Sequence, residues 1–124
     1  MTSIYKATLP YPPSVNTYWR AVTGNFKGAR VLLSAKGREY KSLVAANINR
    51  PEKPMTGDLC VFLVCSPPDR RRRDVDNILK AAFDALQYAG VYEDDSQIVE
   101  MYFKKSAITK GGSLHVEITK MNDN

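Results

Sequence analysis

The feature that most constrains the fold of this chain is the run Leu59-Cys60-Val61-Phe62-Leu63-Val64, which is almost continuously apolar. A strand with apolar residues at successive positions is typical of a sheet that is covered on both faces. Pro54 and Gly57 precede the run, and Pro67-Pro68 closes it. These turn residues limit it to the length of a strand. We therefore predict a buried strand here, at the centre of the sheet.

Two segments have the apolar spacing of amphipathic helices. The first runs from a capping Ser34 to about Asn49, and its apolar positions are Tyr40, Leu43, Val44 and Ile48. The second begins at a capping Asp74 or Asp76 and ends before Gly90. Its apolar stripe consists of Val75, Leu79, Ala82, Phe83 and Leu86.

The remaining periodic segments indicate strands, because they alternate and are bounded by Pro, Gly and Asn. The predicted strands are Ser3–Leu9, Tyr18–Ala21, Arg30–Leu33, Gln97–Lys105 and Leu114–Thr119. Residues 23–28 form the tip of a candidate hairpin, and Lys110-Gly111-Gly112 forms a turn before the last strand. The expected fold is α+β: a single domain over residues 1–124, with a mixed sheet and two main helices.

Composition limits the functions that need consideration. A chain of 124 residues can form one core, and 18 basic against 13 acidic residues give a formal charge of +5, which favours a polyanionic partner. Cys60 and Cys65 are five residues apart in one strand, so their side chains point to opposite faces and indicate neither a disulfide nor a zinc site. No leader-like or membrane-length apolar run occurs, so we expect a cytoplasmic protein without a membrane partner.

The segment Asp69–Asn77 places four consecutive arginines between carboxylates, where a loop meets the second helix. On a regular helix Asp74 and Asp76 would face apart, but at a helix start both carboxylates can converge. Hard divalent cations such as Mg²⁺ prefer such oxygen ligands. The acidic tripeptide Glu93-Asp94-Asp95 follows the helix and could complete the site. The alternative is a solvated loop with local ion pairs, followed by an ordinary acidic turn.

Lys80 lies one turn beyond Asp76, and Asp84 follows one turn later. A lysine in this position can hold the scissile phosphate or offset charge that develops in a transition state. The alternative is an i,i+4 ion pair on a solvated helix face. The sole histidine, His115, has no histidine partner, so a histidine-based metal site is excluded.

The ordered composite of these motifs resembles the RusA family of Holliday junction resolvases. It consists of Pro68-Asp69-Arg70-Arg71-Arg72-Arg73-Asp74-Val75-Asp76-Asn77, Lys80-Ala81-Ala82-Phe83-Asp84-Ala85-Leu86, Ala89-Gly90 and Asp94-Asp95. The segments Leu9–Asn16 and Thr109–Gly112 are also similar to the family, whereas Tyr18–Leu33 matches less clearly. The resemblance implies a small homodimeric, Mg²⁺-dependent endonuclease, often encoded by phages or prophages. Such an enzyme resolves four-way DNA junctions by paired symmetric cuts.

Carried over by position, the resemblance identifies Asp74, Asp76 and Asp95 as the catalytic metal-binding acids, with Asp94 as the alternative third acid. It identifies Lys80 as the essential lysine. The all-oxygen site would take Mg²⁺, with Mn²⁺ as a substitute. Backbone phosphates would be bound by Lys80 and by the arginine run Arg70, Arg71, Arg72 and Arg73.

Two rival hypotheses remain from the sequence. The first is a non-catalytic nucleic-acid-binding protein that uses the same basic loop. Carboxylates within a phosphate-binding loop weaken binding unless a cation offsets them, which argues against this rival. The second is an assembly protein whose arginines pair with a partner subunit.

Overall fold

The computed structural model describes residues 4–13, 19–22, 30–33 and 35–121. The elements in chain order are β1 (Ile4–Pro10), β2 (Trp19–Val22), β3 (Arg30–Leu33), α1 (Ala35–Asn47), β4 (Leu59–Ser66), α2 (Val75–Tyr88), a 3-10 turn (Asp95–Gln97), β5 (Ile98–Lys105) and β6 (Ser113–Lys120). The predicted hairpin tip at residues 23–28 and the predicted cap Ser34 lie outside the described residues. Helix α1 ends at Asn47, two residues earlier than predicted.

Four strands form one mixed sheet in the order β1, β6, β4, β5. Strand β6 is antiparallel to both of its neighbours, whereas β4 and β5 are parallel. Strands β2 and β3 form a separate antiparallel pair. The α+β prediction of a mixed sheet with two main helices is therefore confirmed, and so is the interior position of the apolar strand β4.

The core lies between one face of the sheet and the two helices. Buried side chains from the sheet include Leu9, Leu59, Val61, Leu63, Cys65, Leu114, Val116 and Ile118. The helices contribute Tyr40, Val44, Ile78, Ala81, Ala82, Phe83, Ala85 and Leu86. The Tyr40 hydroxyl also donates a hydrogen bond to the Pro10 carbonyl at 2.7 Å, which ties α1 to the end of β1. Neither helix in the described part of the chain has the length and apolar character needed to cross a bilayer.

Three apolar side chains that the sequence placed in the core are exposed instead. Phe62 is 51% exposed, Leu43 47% and Val75 41%. The prediction that β4 is buried on both faces is wrong at Phe62, because both helices pack on the opposite face. The α1 stripe is narrower than predicted, and the α2 stripe is rotated toward Ile78 and Ala81.

The second face of the sheet, called here the open face, carries polar and aromatic side chains. His115 lies 3.2 Å from Thr8 and 3.1 Å from Glu117, so its ring interacts with two neighbours on this face. The rings of Phe62 and Tyr102 stack with centroids 4.6 Å apart. His115 is therefore a partly exposed residue of the open face.

The crossover from β4 through α2 to β5 determines where the functional residues lie. Because β4 and β5 are parallel, α2 runs back along the sheet, and its first turn lies at the end where both strands finish. A small cavity confirms this, since its lining includes Val75, Phe103 and Lys105. The last turn of α2 lies at the opposite end, where Tyr92 forms a bridge with Met55 and donates a hydrogen bond to Phe83 O at 2.6 Å.

The segment after β5 is hydrogen-bonded to the end of β4 and to the residue that follows this strand. The N–H of Ser106 donates to the carbonyl of Cys65, and the N–H of Thr109 donates to that of Pro67. The predicted turn before β6 is present, with Gly112 in the left-handed region at φ 69°. A Cβ at this position would lie 2.9 Å from side-chain atoms of Pro68 and Tyr11.

Candidate active site and nucleic-acid interface

The start of α2 is organised by Asp74. This residue is the N-cap, with extended backbone angles, and its Oδ1 accepts the backbone N–H of Asp76 at 3.0 Å. Capping satisfies an amide that has no partner within the helix. A carboxylate has further acceptor capacity, so the cap leaves lone pairs on Asp74 for a cation. Asp74 and Asp76 are both exposed, as a metal-binding pair would require.

The basic loop, residues 69–73, is closed by its own charges. Arg73 Nη1 lies 2.8 Å from Asp69 Oδ1, and the Arg71 amide donates to the same oxygen at 2.9 Å. Arg73 also donates to the carbonyl of Arg71 at 3.2 Å. Hydrogen bonding to the Arg73 side chain and then to the Arg71 amide lowers the pKa of Asp69 to about 2. The local ion pairs of the alternative interpretation therefore exist: Asp69 pairs with Arg73 and, at 3.8 Å, with Arg71.

Arg73 also contacts Tyr11, which lies in the segment that follows β1. Its guanidinium lies 5.2 Å from the centroid of the Tyr11 ring, within the range of a cation–π contact. Burial, followed by the neighbouring Cys65, raises the pKa of Tyr11 to about 12. The side chain of Arg73 is only 22% exposed, whereas that of Arg71 is 84% exposed. Arg70 and Arg72 are exposed as well. One arginine thus shapes the loop, and three present their charges to solvent.

The acidic turn, residues 93–97, is held by a capping box. Asp94 Oδ2 accepts the Ser96 amide at 3.0 Å, and Gln97 Oε1 accepts the amides of Glu93 and Asp94, each at 3.0 Å. The bonds from Ser96 lower the pKa of Asp94. Because the Asp94 carboxylate is engaged within its own turn, Asp95 is the better candidate for an external ligand.

Asp95 is anchored at the last turn of α2. Its backbone N–H donates to Gln87 Oε1 at 3.0 Å. Burial raises the pKa of Tyr92, and the carboxylates of Asp95 and Asp84 raise it further, which places these acids near the same phenol. A helix rises about 1.5 Å per residue, so Gln87 lies about 16 Å along α2 from Asp76. Within one chain, Asp95 and the Asp74–Asp76 pair are therefore at opposite ends of the helix.

Lys80 is exposed on the second turn of α2, on the same helix as the Asp74–Asp76 pair. Asp84, which the sequence aligned with it, forms an ion pair with Lys41 at 3.1 Å. Lys41 also lies 5.5 Å from the centroid of the Tyr88 ring. Asp84 therefore contributes to the contact between α1 and α2.

The carboxylates fit a hard divalent cation by their chemistry. The candidate donors Asp74, Asp76 and Asp95 are all oxygen ligands, which Mg²⁺ prefers. Among the residues that the structure describes, no three His, Cys, Asp or Glu side chains lie close enough to share one ion. The pair at the start of α2 is the part of the predicted set that the fold keeps together.

Sequence reasoning missed the residues that support the site. Asp94 and Gln97 have the spacing of a capping box, so this signal was present in the sequence. Gln97 also donates to the carbonyls of Met55 and Gly57 at 3.0 and 2.9 Å. The contacts of Gln87 with Asp95 and of Tyr11 with Arg73 have no sequence signal, since they depend on how distant segments meet.

A small α+β fold that presents three exposed arginines and a pair of carboxylates at one helix start has the features of a nuclease. The comparison with known families agrees: the family described as "Endodeoxyribonuclease RusA" matches residues 10–119. The chain belongs to the RusA family of endodeoxyribonucleases.

Individual relatives extend the similarity over nearly the whole chain. A crossover junction endodeoxyribonuclease RusA from Escherichia coli (strain K12) is 42% identical over 121 residues, which cover 96% of this chain and 97% of that protein. Proteins with the same name from Shigella sonnei (strain Ss046) and from Enterobacteria phage 82 are each 41% identical with the same coverage. The last of these agrees with the expected association with phages.

Proposed function

We propose that this protein is a divalent-metal-dependent endodeoxyribonuclease that resolves four-way DNA junctions by paired symmetric cuts as a homodimer. The names of the relatives support the junction as substrate. The observation that carries the proposal is the exposed carboxylate pair of Asp74 and Asp76 beside a loop that presents Arg70, Arg71 and Arg72. Such a loop binds backbone phosphates and brings a phosphodiester to the carboxylates.

In this proposal the residues divide the work between holding the DNA and cutting it. Asp74 and Asp76 bind Mg²⁺ or Mn²⁺, and the ion supplies an activated water and a polarised phosphodiester. Lys80 offsets the negative charge that develops on the phosphate, and Arg70–Arg72 fix the strand. Arg73 acts by holding the loop in shape. A reducing cytoplasmic compartment fits this function and the two buried free thiols.

The position of Asp95 leads to the second part of the proposal. If Asp95 is the third metal ligand, it must reach the Asp74–Asp76 pair from another copy, because its own pair is about 16 Å away along α2. A symmetric dimer would then contain two identical sites, each with Asp74 and Asp76 of one copy and Asp95 of the other. Two sites are what two cuts in opposite strands require.

The function is tested by incubating the protein with labelled four-way and linear DNA in Mg²⁺, Mn²⁺ or excess EDTA. We expect symmetric cuts in the junction with either metal and none after chelation. Cleavage at full rate in EDTA would refute the metal site. Binding without cleavage in Mg²⁺ and Mn²⁺ would favour the non-catalytic rival.

The shared site is tested by complementation between two inactive variants, Asp74→Asn and Asp95→Asn. Each alone should lose at least about a thousandfold in cleavage rate, since the ligand acts through the metal, and should bind junctions as well or better. The two variants are co-expressed with different tags, and the mixed dimer is purified over both. A shared site leaves one complete site, so the mixed dimer should nick one strand. A site within each chain leaves both defective, and the mixed dimer would be inactive.

A further inference from the structure

A small cavity lies beside the basic loop, where β1, β4 and β5 finish and α2 begins. It has about 270 Å³ of empty space including its mouth, which is below the range of about 300–1,000 Å³ for sites of drug-sized ligands. Its closed part has room for about one water molecule. The cavity therefore suits the edge of one flat ring and is too small for a whole nucleotide.

The interior of this cavity is uncharged and largely apolar. Val75 and Phe103 line it together with Tyr11 and with Cys65, which is 1% exposed. Burial raises the pKa of the Cys65 thiol and raises that of Tyr11 to about 12, so both groups keep their protons at neutral pH. The thiol donates to the Tyr11 oxygen at 4.0 Å, and the hydroxyl has a proton of its own to donate. Such an interior accepts an uncharged ring that carries a hydrogen-bond acceptor.

Cations surround the opening of the cavity. Arg71, Arg73 and Lys105 contribute to its lining, and both Arg71 and Lys105 are exposed. Among the described residues that line it, none is a carboxylate, although Asp69 pairs with Arg73 nearby. A phosphate would lose its hydration inside an apolar cavity, whereas at the opening it would meet the cations. The combination of an apolar interior and a cationic opening matches a nucleotide, whose phosphate is charged and whose base is not.

The cavity opens beside the proposed catalytic acids. Val75, which lines it, lies between Asp74 and Asp76 in the chain and begins α2. A phosphodiester held by these two acids therefore has the base of an adjoining nucleotide within reach of the cavity. Taking a base out of its stack costs least where the stack is already disturbed, as at the centre of a branched junction.

We propose that this cavity, called here the base pocket, receives the edge of one nucleobase from a nucleotide that adjoins the scissile phosphate. The inference rests on the proposed function and deepens it, since it makes cleavage depend on the base beside the cut. The polar groups at the pocket are donors: the Tyr11 hydroxyl, the Cys65 thiol and the Arg71 guanidinium. Donors complement a carbonyl oxygen, which guanine, cytosine and thymine carry and adenine lacks. Adenine at this position should therefore be the least favoured base.

The pocket is tested first with four-way junctions that contain one abasic nucleotide, placed in turn at each position around the cut. Single-turnover cleavage is measured in Mg²⁺ after the affinity has been measured in Ca²⁺. The wild-type rate should fall about fivefold or more at one position beside the cut, since a base held against aromatic side chains contributes on this scale. Adenine at that position should slow cleavage about threefold or more relative to the other bases. A flat abasic profile, or faster cleavage at that position, would overturn the proposal.

Filling the mouth of the pocket should remove the dependence on the base. Val75→Trp should cut the abasic and the intact junction at equal rates, and this ratio is independent of any general loss of activity. Ile4→Trp is the matched control, because Ile4 is also an exposed apolar residue but lies at the other end of β1. It should keep the wild-type ratio. If Val75→Trp keeps that ratio as well, the base is bound elsewhere and the proposal fails.

Removing one hydroxyl group tests how the base is recognised. Tyr11→Phe keeps the ring that contacts Arg73, so its unfolding temperature should stay close to that of the wild type. It should retain most of the abasic penalty and lose the discrimination against adenine. Unchanged discrimination would overturn the role of the Tyr11 hydroxyl.

Photo-cross-linking gives a result that does not depend on cleavage. Iodouracil, which carries carbonyl oxygens, is placed at the same position in a junction bound in Ca²⁺, and the cross-linked residue is identified by mass spectrometry. We expect Tyr11 or Phe103, and cross-links only to residues outside the pocket would overturn the proposal. A protein that forms the expected cross-link but cuts no junction would lose the proposed function and keep the pocket. A protein that cuts junctions with a flat abasic profile would keep the function and lose the pocket.

Discussion

The two ends of α2 carry charge of opposite sign and are held in different ways. At its start, the basic loop is closed by ion pairs of Asp69 with Arg73 at 2.8 Å and with Arg71 at 3.8 Å, and the side chains of Arg70, Arg71 and Arg72 are exposed to solvent. At its far end, the acidic turn is fixed by hydrogen bonds that its backbone amides donate to the side-chain oxygens of two glutamines, Gln87 and Gln97. The difference teaches that the arginines are free to adapt to a DNA strand, whereas the position of Asp95 is set before any ligand binds.

The largest expected effect at the start of α2 is that the loss of Lys80 slows DNA cleavage much more than it weakens junction binding. If Lys80 contacts charge that develops only during phosphodiester attack, Lys80→Ala should keep most of the junction affinity. It should reduce single-turnover cleavage by about a hundredfold. Affinity is measured in Ca²⁺ and cleavage in Mg²⁺. Lys41→Ala is the control, because Lys41 pairs with Asp84 and should affect unfolding more than turnover.

Normal cleavage by Lys80→Ala once the junction is bound would show that Lys80 is only another phosphate anchor. The start of α2 would then bind DNA with four cations, Arg70, Arg71, Arg72 and Lys80, and the carboxylates would act in cleavage without a lysine.

The exposed arginines and Arg73 should differ in how they affect the salt dependence of junction binding. Neutralising Arg71 and Arg72 together should weaken junction binding and reduce the slope of log affinity against log salt by about two units. The unfolding temperature should change little, since both side chains are exposed. Affinity is measured at several salt concentrations, and unfolding by circular dichroism.

Arg73→Ala is the matched comparison. It removes the bonds to Asp69 and the contact with Tyr11, so it should lower the unfolding temperature as well as the affinity. If Arg73→Ala changed the salt slope and left stability unaltered, Arg73 would belong with the phosphate-binding arginines.

The position of Asp95 at the last turn of α2 can be tested through one side chain, Gln87. Gln87→Ala removes the acceptor of the Asp95 amide, so the hydrogen bond that positions Asp95 is lost, at a cost of about 1 kcal/mol. We expect a threefold to tenfold loss of turnover. The Mg²⁺ concentration needed for half-maximal cleavage should rise. Gln87→Glu retains an acceptor oxygen and should restore much of the rate. Equal defects in both variants would indicate a structural effect on α2.

The smallest expected effect is the acid dependence of the basic loop. Because the Arg73 bond lowers the pKa of Asp69 to about 2 in the folded state, from an ordinary 3.8, the ion pair stabilises the fold above the ordinary pKa. That contribution is lost as the pH falls through about 4 toward about 2. Asp69→Asn should therefore unfold at a slightly lower temperature than wild type at pH 5. The two proteins should converge near pH 2, and a constant difference would refute this origin.

The sequence predicted the elements of this fold well and the faces of those elements less well. The strand formed by the apolar run of β4 and the capping of α2 by Asp74 are local features, and both are confirmed. The exposure of Phe62 and Val75 depends on which side of the sheet the helices cover, which periodicity does not specify. The metal set of Asp74, Asp76 and Asp95 remains a prediction. The distance between Asp95 and the Asp74–Asp76 pair could have been foreseen, because these residues flank a helix of 14 residues, which spans about 21 Å.

Gly112 has a consequence for how the protein can change over generations. A Cβ there would collide with Pro68, which leads into the basic loop, and with Tyr11, which supports Arg73. A surface position such as Arg70 can accept many different residues, and a substitution there alters only the affinity for DNA. At position 112 only glycine, whose side chain is a hydrogen atom, fits without a clash. A mutation there would act at a distance, by displacing the support of the arginines while leaving each arginine in place.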